Sequence, residues 1–422
     1  MSDVRQDSGE MDRREFGRLA VAGLAGLAGV AAGGRAAETD GKRVGEAASG
    51  NSPSLAGLRR VKKGDIYYRP LGATGLWISE LALGGSPSPP LNVFRAALER
   101  GVNFCDTSPR YSRGKGEQEI GQAIQGRRDR VYVSTKITPN RDGVFTAGDA
   151  VKQVEGSLKR LGTDCIDVLC VHGAASEKDV FADWVLEAVD RLKQAGKARY
   201  FGASVHNTSL EFNRKMIESG RYQVLLMPLN AYFEPKMQSG DGAGTPETLR
   251  SILRLAAQKG VGIIAMKTLA AGGLAKVPAA EGISPVQARL RWVLRRPEVT
   301  SVLNEMVTFD YLKEDLAASA ADLSPAEEAY LRECVRDGSA GYCRMCRKCE
   351  AGCPAGIPIA DLLRARMYTV DYGDPRRGMD LGSEMGAARL LASCQGCGRC
   401  EATCPWGVRT SRLFGELREL VS

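Results

Sequence analysis

Histidine is nearly missing from this chain: among 422 residues there are only His172 and His206. Any imidazole that does chemistry must be one of these two. A strong charge of either sign is also lacking. The net charge of +8 is mild for this length, and part of it sits at the N-terminus and around the cysteine runs. It reads as a solvated surface, with no nucleic-acid partner. Nor is there a run fit to cross a membrane. The uncharged stretch 19–34 is weakly apolar and shorter than the ~20 residues a span requires, so no stable span is expected. Finally, the first candidate strand ends in Leu83-Gly84-Gly85-Ser86-Pro87. That does not match the Gly-x-Gly-x-x-Gly turn of an open dinucleotide-binding sheet. What is present is an ordinary soluble composition, 43% hydrophobic and 26% charged, on a chain long enough for two or three domains.

From about residue 65 to 322, short apolar runs alternate with stretches of helical period. The runs are Ile78–Leu83, Val102–Cys105, Val131–Lys136, Ile166–Val171, Arg199–Ser204, Val224–Met227, Gly262–Met266 and Val299–Leu303. Between them, 91–99, 150–161, 180–194, 246–258 and 286–295 carry the 3.6-residue pattern. Eight such units predict an α/β fold, a (β/α)₈ TIM barrel. Chemistry in a barrel sits at the C-terminal strand ends. There the second strand ends at Asp106 with Tyr111 five residues on, the third at Lys136 and the fourth at His172. A carbonyl reduced by hydride needs a proton on its oxygen. Tyr111 can give it, a nearby Lys136 cation is expected to lower the phenol's pKa, Asp106 can hold the ammonium, and His172 can hydrogen-bond the substrate oxygen. The bland alternative is an Asp–Lys ion pair at a barrel rim beside a bystander Tyr.

The segment from Gly101 to Gly121, with Asp106, Tyr111 and Glu117 in register, resembles the second strand and loop of the aldo-keto reductase family. Val131–Lys136, Asp167–His172 and Lys197–Ser204 resemble its third, fourth and fifth strands. The resemblance covers roughly residues 66–320. It implies an NADP- or NAD-dependent oxidoreductase acting on a small carbonyl or alcohol, with Asp106, Tyr111, Lys136 and His172 as catalytic tetrad. It also implies that Ser204, Asn230 and Lys267 contact the cofactor. The departures cluster on that cofactor. Leu226 stands where family members often have Gln, Glu305 where a Gly usually lets a phosphate approach, and Asp315 where an Asn is expected. A carboxylate beside a phosphate is unfavourable, and Lys267 could offset some of that charge. His206 is expected to be a loop residue rather than a catalyst.

Of twelve cysteines, Cys105, Cys165, Cys170 and Cys334 are scattered and expected not to be ligands. The other eight form two identical runs, Cys343, Cys346, Cys349, Cys353-Pro354 and Cys394, Cys397, Cys400, Cys404-Pro405. Both match C-x₂-C-x₂-C-x₃-C-P, which resembles the bacterial ferredoxin signature, whose fourth Cys ligates the other cluster. That implies two [4Fe–4S] clusters, one on Cys343, Cys346, Cys349 and Cys404, the other on Cys394, Cys397, Cys400 and Cys353. Zinc sites and disulfides are the competing readings; neither explains the third Cys of each run together with the Cys-Pro. The runs lie 51 residues apart, and the helix-like Ile359–Tyr368 between them points to a mostly helical two-cluster module.

At the N-terminus, Arg13-Arg14 and Phe16 precede the apolar stretch and a small-residue segment ending at Ala37. This resembles a twin-arginine export signal, with Gly17 where Leu is usual. Disorder or a membrane anchor are the alternatives. The resulting division is a signal over 1–37, a linker over 38–64, the barrel over 65–322 and a ferredoxin-type 4Fe-4S domain over 335–422. The expectation is an exported, periplasmic oxidoreductase that meets the twin-arginine machinery and a redox partner protein. The alternative is a non-catalytic scaffold or redox sensor carrying the ferredoxin module. The loops around 233–244 and 270–283 show no polar signature that would name a substrate.

Overall fold

The computed structural model describes residues 60–138, 145–233, 238–239, 247–270, 277–319, 321–338, 341–373 and 375–421. The expected export signal, most of the expected linker and much of the loops around 233–244 and 270–283 lie outside them. Among the described residues, no helix is long and apolar enough to cross a membrane.

A small antiparallel sheet, β1 (Val61–Lys63), β2 (Ile66–Pro70) and β3 (Trp77–Ser79), precedes the barrel. The barrel strands follow: β4 (Leu81–Gly84), β5 (Phe104–Asp106), β6 (Tyr132–Ile137), β7 (Ile166–Ala174), β8 (Ala198–Val205) and β9 (Val224–Pro228). A two-stranded excursion, β10 (Gln238–Ser239) and β11 (Glu247–Thr248), comes before β12 (Gly262–Met266) and β13 (Val299–Asn304). β4 to β9, β12 and β13 close into one eight-stranded parallel barrel. Each expected strand has its counterpart, with one difference. The first apolar run is split: Trp77–Ser79 pairs with β2, and only Leu81–Gly84 enters the barrel. Ser79 and Glu80 stand at this break, but both are buried, because a hairpin arm and a barrel strand both bury their side chains.

Helices α1 (Leu91–Glu99), α2 (Lys115–Ile124), α3 (Ala147–Leu161), α4 (Glu177–Val180), α5 (Asp183–Gln194), α6 (Leu210–Glu218), α7 (Leu249–Gln258), α8 (Pro285–Leu294) and α9 (Phe309–Ser319) lie among and after the barrel strands. Their ends follow local chemistry. α3 starts at a capping box between Thr146 and Asp149 and stops at left-handed Gly162; α8 starts with Ser284 as cap and Pro285 at its first position. Two cores result. One joins the helices to the outside of the sheet. The other fills the barrel interior with residues such as Leu71, Phe104, Val168, Leu226 and Ile264, the layered packing this architecture requires. Leu226 is one of these interior residues and is fully buried.

Beyond the barrel, α10 (Pro325–Gly338) leads to a helical C-terminal region: α11 (Ile359–Arg366), a π-helical turn (Met367–Asp371), α12 (Pro375–Met385), α13 (Ala387–Ala392), α14 (Arg399–Thr403) and α15 (Thr410–Val421). The expected helix 359–368 is thus α-helical to Arg366 and continues as a π-turn. The two cysteine runs share one backbone. Met345 and Arg347 have positive φ, as do Gly396 and Gly398 at the same places in the second run, and Gly356 matches Gly407. Glu350 accepts the Ala360 amide as Glu401 accepts the Ser411 amide. α11 and α15 then start 51 residues apart, like the runs. The C-terminal region is an internal repeat around two cysteine loops.

Candidate active site and the region that caps it

Asp106 ends β5, Lys136 is the penultimate residue of β6, and His172 lies in the last third of β7. Parallel register brings them to one mouth. Lys136 Nζ donates to Asp106 Oδ2 at 2.5 Å and to the Thr107 carbonyl at 2.7 Å. Both side chains are buried, so each charge depends on the other. Tyr111 opens a 3₁₀ turn whose next residues, Ser112 and Arg113, have φ of 49° and 55°. Such left-handed backbone at non-glycine residues is costly and persists where a site is held in place. The turn sets the Tyr111 ring 4.9 Å from Lys136 Nζ and edge-on to His172, with ring centroids 5.6 Å apart. The four expected tetrad residues therefore converge.

Their protonation states differ from expectation at one point. Burial pushes the Tyr111 phenol above its ordinary value, and the Lys136 cation offsets this only in part. The phenol holds its proton. Burial opposes the charge on Lys136, but Asp106 and Tyr111 outweigh it and raise its pKa. His172 is driven well below the usual imidazole range by burial and by Lys136, Arg110, Arg364 and Arg377; it is neutral. Its Nδ1 lies 3.1 Å from Ser108 Oγ and 3.4 Å from Thr138 Oγ1. Among the described residues, Asp106 Oδ1 is buried with no hydrogen-bond partner, an unspent acceptor at the mouth.

The space above these residues is a cavity of about 40 Å³ bounded by Asp106, Tyr111, Ser204, Lys267, Glu305 and, from the C-terminal region, Tyr368, Tyr372 and Arg377. Arg377 donates to the Tyr368 hydroxyl and to the Ser86 carbonyl, each at 3.1 Å. Its guanidinium lies 3.9 Å from the Tyr368 ring centroid and 5.6 Å from that of Tyr111. Ser204 and Lys267 face the cavity as expected cofactor residues would. Asn230 does not bound it: Asn230 is fully buried, and its amide donates to the Lys267 carbonyl and the Tyr342 hydroxyl. It joins the barrel to the C-terminal region. Asp315 is also buried, accepts from Asn304 Nδ2 at 2.6 Å, and is pushed up to about 7 by burial.

His206, read from sequence as a loop residue, is buried in the cavity wall. Arg364 donates to its Nδ1 at 2.7 Å and Lys267 Nζ lies 3.5 Å from its Nε2. Burial together with Arg364 and Lys267 keeps it neutral. Its burial is missed from sequence because the residue that covers it, Arg364, comes from α11, far along the chain. Tyr368, Tyr372 and Arg377 are missed for the same reason. The sole signal is the length of the insert that carries them.

The first cysteine loop is fastened beside this mouth: Thr208 donates its hydroxyl to the Arg344 carbonyl and its amide to the Met345 carbonyl. Cys343, Cys346, Cys349 and Cys404 line one cavity with Trp406 and Pro405. These are the four thiols the ferredoxin signature assigns to one cluster. Among the described residues, no group of three or more His, Cys, Asp or Glu is arranged for a single metal ion; a cubane holds its thiolates at separate corners. Cys105, Cys170 and Cys334 are buried apart from both runs, and Cys165 is half-buried.

Comparison with known proteins bears on the barrel. The aldo/keto reductase family profile matches residues 84–281. An uncharacterized oxidoreductase of Bacillus subtilis, YqkF, is 30% identical over 287 residues, covering 62% of this chain and 93% of that protein. L-galactose dehydrogenase of Arabidopsis thaliana is 27% identical over 60% of this chain and 88% of its own length. The solved aldo-keto reductase AKR11C1 of Bacillus halodurans superposes with a TM-score of 0.52 at 23% identity, over 63% of this chain and 95% of its own, a likeness of fold. With the eight-stranded barrel and the match to YqkF over nearly its whole length, the chain belongs to the aldo/keto reductase family of NAD(P)-dependent oxidoreductases.

Proposed function

We propose that this chain is an exported oxidoreductase that interconverts a small carbonyl and its alcohol at Tyr111, with NADP or NAD as hydride partner, and that its C-terminal region carries two [4Fe–4S] clusters for electron exchange with a redox partner. One observation carries the catalytic reading: Tyr111, Lys136, Asp106 and His172 meet at the C-terminal mouth of the barrel. The buried Tyr111 phenol keeps its proton and gives it to a carbonyl oxygen as negative charge develops there. The Lys136 cation stabilises the phenolate left behind, and Asp106 fixes the ammonium. Neutral His172, with Nδ1 turned to Ser108 and Thr138, has Nε2 left among the described residues to orient the substrate oxygen.

The groups implied by this reading fit unequally. The thiols of Cys343, Cys346, Cys349 and Cys404 surround one cavity, which suits a cluster, and the second run repeats the same backbone for Cys394, Cys397, Cys400 and Cys353. A bound cluster would supply one-electron transfer. A nicotinamide nucleotide does not fit the mouth as it stands: Tyr368, Tyr372 and Arg377 wall it in and leave about 40 Å³, room for a few waters. That filled mouth favours the second reading, a non-catalytic scaffold or redox sensor. One experiment separates them. The full chain is purified without air and assayed for iron, sulfide, released nucleotide, and NADPH-linked turnover of an aldehyde panel, beside Tyr111→Phe. Iron, sulfide and turnover lost in Tyr111→Phe support the enzyme. Turnover equal in both proteins overturns Tyr111 as the proton donor, and none in either supports the scaffold.

A further inference from the structure

The insert between the cysteine runs reaches well past them to the barrel mouth. We propose that its segment from Tyr368 to Arg377 is a plug seated in the nucleotide-binding mouth, so that this segment and NAD(P) bind in exchange for one another. The inference rests on the NAD(P) reading and adds a competitor for the site from the same chain.

Three observations build it. The first is shape. After Arg366 the helix widens into a π-turn, a departure that marks functional sites, and the turn carries Tyr368 into the cavity wall. α12 packs back on this turn through Gly378, where a Cβ would stand 1.8 Å from Thr369 Oγ1 and 2.8 Å from the Ala365 carbonyl. Only glycine lets the two pieces close into one wedge. The second is fastening. Arg377 donates to the Ser86 carbonyl after β4, Arg364 to His206 after β8, and Arg110 pairs with Glu384 at 2.6 Å. The third is charge matching. Glu305, ill suited to a phosphate, is an electrostatic partner of Arg377, and Lys267 of Tyr368. Of the residues that depart from a nucleotide site, Glu305 lines this cavity, and it faces the segment's Arg377 there.

The test measures NADPH binding by fluorescence on the full, cluster-loaded chain, on Arg377→Ala and, separately, on Tyr368→Ala. Freeing the mouth removes the cost of displacing the segment, so both variants should bind about tenfold or more tighter than the parent. Equal, measurable affinity in all three proteins overturns the plug and leaves the NAD(P) reading intact. No binding in any of them overturns both. Hydrogen exchange on the unsubstituted chain gives an answer free of folding defects. With NADPH at saturation, residues 359–385 should exchange faster; unchanged or slower exchange with nucleotide bound overturns the proposal.

Discussion

At Tyr111 two effects oppose each other: burial holds the proton on, and Lys136 4.9 Å from the ring favours its loss. Burial wins, which makes the residue an acid rather than a standing phenolate. Tyr111→Phe should therefore lower kcat by about 10²–10⁴-fold, with the thermal midpoint nearly unchanged, as steady-state kinetics and a melting curve would show. Tyr368 is the reverse case. Burial pushes its hydroxyl up, but Arg377, Lys267 and Arg364 together pull it down to about 7. The unfolded hydroxyl titrates near 10. Between these values the unfolded chain holds the extra proton, so stability rises with pH there, and the gain disappears as pH falls through 7. Melting curves at steps from pH 6.5 to 9 should climb more steeply for the parent chain than for Tyr368→Phe, by about 1.4 kcal/mol per pH unit. Parallel slopes would refute it.

Each cysteine loop turns through two left-handed residues, and the two runs achieve this with different residues. The second uses Gly396 and Gly398; the first uses Met345 and Arg347 at φ of 56° and 60°. Arg347 stays there because it pairs with Glu350 and Asp361. Gly398 has open space around its missing Cβ. Gly398→Ala should thus cost about 1–2 kcal/mol through backbone conformation alone, read as a lower midpoint for loss of iron absorbance on heating. If the clusters are bound crosswise, Cys353→Ser and Cys404→Ser should each remove about half the iron and spare the other cluster, which electron paramagnetic resonance of the reduced proteins can distinguish. At this scale much is legible in the sequence. The eight barrel strands follow from apolar runs of strand length, and the tetrad from polar residues at strand ends. The gap between Ser79 and Leu81 is hard to read, because the polar Ser79 and Glu80 that stand at it are both buried, Glu80 paired with Arg69. The start of the expected helix 180–194 is equally silent: it begins at Asp183, and Val180 instead ends the short helix α4, with apolar residues buried on both sides.

The placement of the C-terminal region over the barrel mouth is the least legible feature, because it rests on contacts between residues more than a hundred positions apart. Nothing in the local pattern of Arg364 or Arg377 distinguishes them from solvated helix arginines. Yet Arg364 is buried, donates to His206 and Asp361, and ties α11 to the loop after β8. Arg110 and Glu384 also bridge the two regions, but their side chains are 34% and 39% exposed. The two links should differ in strength accordingly. Arg110→Ala breaks a solvated ion pair worth about 0–1 kcal/mol. Arg364→Met leaves His206 Nδ1 as an unpaired buried acceptor, a cost of about 1–3 kcal/mol, while Asp361 keeps Arg347 as its partner. Hydrogen exchange over residues 359–385 should therefore rise clearly in Arg364→Met and scarcely at all in Arg110→Ala. Equal exchange in the two variants would mean that the buried arginine contributes nothing to the seat of the capping region on the barrel.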